Sequence, residues 1–193
     1  SKAASSFLLT SVSSSAEEEK SGSFFGIFKK DKKTPTANEP AKKKSGLASP
    51  RGSADLLIFG EKNNPLYSAS SVFSGEPFLV NDPGEYDVKG ITVTGLPLRQ
   101  HGDRYITVYL IESEDIKILN LSHIREFNMK EDELEDFGEI DILILPVGGN
   151  TVMDAASAAK VVNEIEPKIV IPSHYKIPGL VIDVDPVDKF IKE

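Results

Sequence analysis

The sequence predicts an α/β domain, a mixed sheet with helices on its outside. Three observations carry this. A strand–helix–strand unit is written into residues 139–175, antiparallel strand-and-turn punctuation fills residues 54–121, and a weakly apolar stretch rich in Lys and Ser precedes both. In the first of these, Ile140 to Val147 is a short apolar run bounded by Asp141 and by Gly148-Gly149, the pattern of a strand buried on both faces. Thr151 followed three residues later by Asp154 reads as a capping box opening a helix. Val152, Ala155, Ala156, Ala159, Val162 and Ile165 then recur at helical spacing as one apolar stripe. Pro167 stops the helix after about four turns, and Lys168 to Pro172 is a second apolar strand. Ser173-His174-Tyr175 follows that strand's end, where open α/β sheets present ligand-binding groups.

From the N-terminus, Phe7-Leu8-Leu9 is a short strand, and residues 1–12 are taken as an early strand piece. Residues 13–53 are expected to be a low-complexity, disordered insertion of Ser, Lys, Glu, Pro and Ala. Such a composition buries too little apolar surface to offset its ordering entropy. Its apolar exception is Phe24-Phe25-Gly26-Ile27-Phe28, flanked by Lys29, Lys30, Lys32 and Lys33. A segment of that kind suits a protein partner or an anionic surface, and it equally fits a solvated loop with a few aromatics. The 24–33 segment is the partner-contacting candidate.

The folded domain is expected over 54–193. Asp55 to Phe59 is a strand ending at Gly60, followed by a polar turn over Glu61 to Pro65 and a weak helix or loop through Val72. Pro77 to Val80 is a short strand, Asp82-Pro83-Gly84-Glu85 is a turn, and Tyr86 to Thr94 alternates as a hairpin arm. Ile106 to Glu112 and Ile116 to Leu121 are strands joined at Ser113-Glu114-Asp115. Lys130 to Phe137 is a short acidic helix with Leu134 and Phe137 facing inward, closed by Gly138.

Charge and composition exclude several functions. Residues 1–50 hold nine Lys against five acids, whereas 51–193 hold thirteen Lys plus Arg against twenty-five acids, giving +4 and −12. An acidic body argues against a nucleic-acid platform. The chain has no Cys, hence no disulfide and no thiolate metal site. No apolar run approaches the roughly 18 residues of a membrane span. Phe7 to Val12 is short for a signal-peptide core, so a cytoplasmic location is the expectation. Oligomeric state is not legible.

Taken together, PGEYDVKG (Pro83 to Gly90), EIDILILPVGGN (Glu139 to Asn150) and PKIVIPSHY (Pro167 to Tyr175) resemble the small metallo-β-lactamase-fold hydrolases of bacteria and archaea. The resemblance covers residues 54–193. It implies an αββα sandwich with a metal site at one edge between two sheets, the family's leading strand being apparently absent from this chain. It also implies a His-x-His-x-Asp-His cluster directly after the strand ending at Phe59. Here that place reads Glu61-Lys62-Asn63-Asn64-Pro65-Leu66. The bridging Asp expected after the strand ending at Leu121 is replaced: the tetrad is Asn120-Leu121-Ser122-His123. The family's last His ligand is matched by His174, and His101 falls loosely where another stands.

Two readings follow. In the first, the standard centre is lost, no cofactor is held, and the protein is a binding or scaffold module of the hydrolase family. His174 is then a structural residue at a strand end, with His101 and His123 as ordinary loop residues. In the second, His101, His123 and His174 hold a single Zn (or Mn or Fe), with Glu61 as fourth ligand or base. The protein then hydrolyses a phosphodiester, ester or lactone-type bond. Three imidazoles with an open coordination position are chemically sound for activating water. Glu85 is a further pocket candidate, which a turn acid satisfying backbone N–H groups explains as well. Tyr175 is read as packing.

Overall fold

A computed structural model describes residues 7–10, 46–47, 52–60, 73–100 and 104–193. Eleven strands and three helices occur among them: β1 (Phe7–Thr10), β2 (Gly52–Ser53), β3 (Leu56–Phe59), β4 (Phe73–Ser74), β5 (Phe78–Val80), β6 (Gly84–Val88), β7 (Ile91–Gln100), β8 (Arg104–Ser113), β9 (Ile116–Asn120), α1 (Glu131–Glu135), β10 (Ile142–Pro146), α2 (Ala155–Ile165), β11 (Ile169–Ser173) and α3 (Asp188–Ile191). Six strands form one sheet in the order β11-β10-β9-β8-β7-β6, three form a second in the order β1-β3-β5, and β2 pairs with β4.

Strand β8 shows how the layers stack, because its side chains alternate between two cores. Ile106, Val108 and Leu110 enter a core shared with Leu119, Leu143, Leu145, Ala158 and Val161. Tyr109 and Ile111 enter the other, with Leu56 and Ile58 of β3 and Val80 of β5. The large sheet therefore has helices on one face and the small sheet on the other, the sandwich that the resemblance implies. Tyr109 pins the two sheets together: its ring is fully buried, and its hydroxyl donates to the Phe59 carbonyl at 2.8 Å.

The strand–helix–strand unit forms as read, with one shift. Helix α2 is capped by Asp154, whose carboxylate accepts from the Ser157 N–H at 2.8 Å, and Thr151 stands outside the helix. Starting there turns the buried stripe toward Ala158 and Val161 and leaves Ala156 exposed. Helix α1 forms where expected but ends at Glu135, short of Phe137; Phe137 is buried, Leu134 packs on the core, and Gly138 takes φ +64°.

Two other expectations are corrected. Tyr86 to Thr94 is not one hairpin arm. β6 and β7 pair antiparallel across Lys89-Gly90, both at positive φ (55° and 79°), the geometry a tight two-residue hairpin requires. Gly52 and Ser53, expected within the insertion, form β2 in parallel pairing with β4, since backbone pairing needs no large side chain. Apart from residues 46–47, the rest of the expected insertion, with the segment over 24–33, and the helix or loop through Val72 lie outside the described residues.

Candidate functional site

Strands β9, β10 and β11 run parallel, so their C-terminal ends share one edge of the large sheet. Beyond β9 the chain passes through Leu121 and Ser122 to His123; beyond β11 it reaches His174 at once. Ser122 and His174 both take left-handed backbone angles (φ +54° and +53°), which non-glycine residues hold only when their surroundings fix them. Asn120 helps fix the first turn, its side-chain oxygen accepting from the Ser122 N–H at 3.0 Å. The Ser122 hydroxyl in turn donates to the Thr107 carbonyl at 2.7 Å.

The end of the small sheet meets the same edge. The Gly60 carbonyl accepts from the Thr107 N–H at 3.1 Å. A side chain at Gly60 has no room, since a Cβ there would sit 2.5 Å from Ser122 Oγ and 3.4 Å from His123 Nδ1. Gly148, at the end of β10, is equally confined beneath the His174 carbonyl, with Val184 Cβ 2.9 Å from any added Cβ. The loop that the resemblance marks for metal binding therefore starts, at Gly60, in contact with the residues after β9.

Within this edge the rings of His123 and His174 have centroids 6.3 Å apart and are tilted by 40°. His123 is buried, and the Nε2 atoms of both rings are enclosed by protein. A hydrogen bond of 3.0 Å links His174 Nδ1 to the Ser173 hydroxyl, which orients the ring from its other side. Burial, with His123 second, pushes the His174 pKa down to about 3. His174 is therefore a neutral imidazole at physiological pH, the form that ligates metals or accepts a proton.

The rim is a set of backbone ties. Arg125 donates to the Asn150 carbonyl at 2.6 Å, and Asn150 Nδ2 donates to the Asp183 carbonyl at 3.1 Å. The Asp185 N–H donates to the Gly148 carbonyl at 2.6 Å. Gln100 is a tie that sequence reading missed. Its side-chain oxygen accepts from the N–H groups of Arg125 and Glu126, and its amide nitrogen donates to the Arg99 and Glu126 carbonyls. No local pattern marks it, because Arg125 and Glu126 lie 25 and 26 residues away along the chain.

The structure thus brings His123 and His174 together. Glu61 and His101 lie outside the described residues. Glu85 is not brought in: it is exposed on β6, at the opposite edge of the six-stranded sheet from β11. Tyr175 packs against the main core, as read. Among the described residues, no three His, Cys, Asp or Glu side chains are grouped to hold a metal ion. Among the described residues, the pair His123 and His174 is what stands at this edge of the donors that the resemblance implies.

Comparison with known proteins adds a family. A model described as the beta-lactamase superfamily domain matches residues 28–174, beginning inside the stretch expected to be an insertion. A protein of Thermococcus onnurineus described as a metal-dependent hydrolase is 33% identical over 84 residues, 43% of this chain and 38% of that protein. One of Pyrococcus furiosus, described alike, is 31% identical over 86 residues, 44% of this chain and 38% of that protein. The matched stretch thus spans well under half the length of these relatives. A crystal structure from Thermotoga maritima, of a protein described as of the metallo-β-lactamase superfamily, superposes with a TM-score of 0.63 at 30% identity. That superposition covers 74% of this chain and 70% of the other.

Proposed function

This chain belongs to the beta-lactamase superfamily, and from that premise we propose that it is a binding or scaffold module in which the family's hydrolytic centre has been dismantled. The observation that supports this is the donor set after β9 and β11. Where the family motif calls for a carboxylate to bridge two ions, the chain has His123, and the facing donor is a single imidazole, His174. A dinuclear site needs carboxylates to balance charge and to position the attacking water, and Asn120-Leu121-Ser122-His123 supplies none. The loop opening at Gly60 replaces the family's cluster with Glu61-Lys62-Asn63-Asn64-Pro65-Leu66, in which Pro65 and Leu66 ligate nothing and Lys62 repels a cation. The 24–33 segment is the element that contacts the partner.

One observation favours a second reading. Two enclosed imidazole nitrogens at one strand edge, one belonging to a ring held neutral, would supply two of the three ligands of a mononuclear three-His site. With His101 as third ligand and Glu61 as fourth ligand or base, such a site would hold one Zn, Mn or Fe ion. A bound ion would supply a water acidified toward neutrality for hydrolysis of a phosphodiester, ester or lactone-type bond. The two readings separate by turnover on generic phosphodiester and ester substrates with added Zn²⁺ or Mn²⁺. The module reading expects no rate above buffer. A rate that His174→Ala abolishes would establish the hydrolase.

A further inference from the structure

The large sheet has one apolar face that the described structure covers only in part. Register places Ile118, Ile142 and Ile169 side by side across β9, β10 and β11, with Ile144 beside Ile171 in the next row. Their strand neighbours Leu119, Leu143 and Val170 point the other way, into the helix-covered core. The small sheet covers the β7–β8 part of this face through Leu56, Ile58 and Val80, and Ile118 of β9 packs at the border of that cover. Beyond it, Ile116 is 46% exposed, Ile169 55% and Ile171 44%.

The geometry points to one occupant: we propose that the Phe24–Phe28 stretch of this same chain docks on the isoleucine face of β9–β11. A second copy is poorly suited. Three strands about 4.8 Å apart and three rows of side chains offer about 200 Å². A stable dimer needs about 800 Å² from each partner. A tethered segment needs far less, because tethering keeps its local concentration high.

Chain geometry permits the contact. Thr10, at the end of β1, pairs with Phe59 in the small sheet, and Gly46 packs against Gly179 and Val181, just past β11. Phe24 follows Thr10 by 14 residues and Phe28 precedes Gly46 by 18. At about 3.3 Å per residue those arms span about 45 Å and about 60 Å, and a domain of this size is only about 37 Å across. Charge is complementary as well. The four Lys at positions 29, 30, 32 and 33 follow the aromatic stretch directly. The N-terminal ends of β9, β10 and β11 carry the exposed acids Glu114, Asp115, Glu139 and Glu166 against one exposed base, Lys168, which pairs with Asp141. The docking is independent of whether the histidine site is inert; it holds the 24–33 segment within the chain, so a partner that takes this segment must displace it.

The chain has no Cys, so a nitroxide attached through Lys30→Cys is the sole label. Methyl spectra of isotope-labelled isoleucine in the full chain are the readout. The proposal expects the methyl signals of Ile169 and Ile171 to lose most of their intensity, whatever the protein concentration, while that of Ile106 in the opposite core keeps it. Adding Phe25→Ser and Phe28→Ser should restore the lost intensity. Undiminished Ile169 and Ile171 signals would overturn the proposal. So would losses appearing only when spin-labelled and isotope-labelled copies are mixed, which would mean a second copy sits there.

Discussion

Gly148 lies so close beneath the His174 carbonyl that a single added carbon would overlap it. That contact locks the end of β10 to the end of β11, and the backbone cannot yield on either side. The Val147 N–H donates to the Ser173 carbonyl at 3.0 Å, and the Gly148 carbonyl accepts from Asp185 at 2.6 Å. Gly148→Ala should therefore destabilise the domain by about 1–3 kcal/mol or more in urea unfolding, the cost of overpacked sites. Gly52→Ala, where an added Cβ meets nothing within 4 Å, should stay near neutral.

Gln100 uses both ends of its buried amide to hold the chain after His123. Gln100→Leu would leave the Arg125 and Glu126 N–H groups without their acceptor, a penalty of about 1–3 kcal/mol. Hydrogen exchange at those two amides should accelerate in the variant. Unchanged exchange would mean the tie is dispensable.

The start of α2 separates two cap candidates. Asp154→Ala should cost about 1 kcal/mol, the usual loss of an N-cap. Thr151→Val should be neutral or stabilising, since the Thr151 hydroxyl is buried with no hydrogen-bond partner among the described residues. Thermal melts of both variants check the order. The reverse order would restore the capping box read from the sequence.

These residues show which parts of the chain were legible. The β10–α2–β11 unit declared itself through period and punctuation, since long apolar repeats outweigh local ambiguity. The helix start did not, because Thr151 and Asp154 are both good cap residues and only the Ser157 N–H chooses between them. The Lys89-Gly90 turn was hidden because Lys seldom adopts positive φ and Val88 and Ile91 continue the apolar run. His123 and His174 were visible as motif positions. Their approach to 6.3 Å was not, as it depends on parallel strands meeting at one edge.

Acid should act through His174. Its folded pKa of about 3 lies below the ordinary 6.5, with burial the main cause. The unfolded chain therefore binds a proton that the folded chain excludes. This contribution to stability is fully present above pH 6.5 and is lost as pH falls toward 3. The slope from this one group is at most about 1.4 kcal/mol per pH unit. His174→Asn, which tolerates the left-handed backbone, should flatten the unfolding profile between pH 6.5 and 3. An unchanged slope would remove His174 as its source.

The central claim concerns the donor set at the sheet edge, and elemental analysis of the purified full chain tests it most directly. After incubation with Zn²⁺, Mn²⁺ or Fe²⁺ and desalting, the account predicts far less than one ion per chain and the same unfolding midpoint with or without a chelator. One tightly retained ion per chain, lost in His174→Ala, would contradict it.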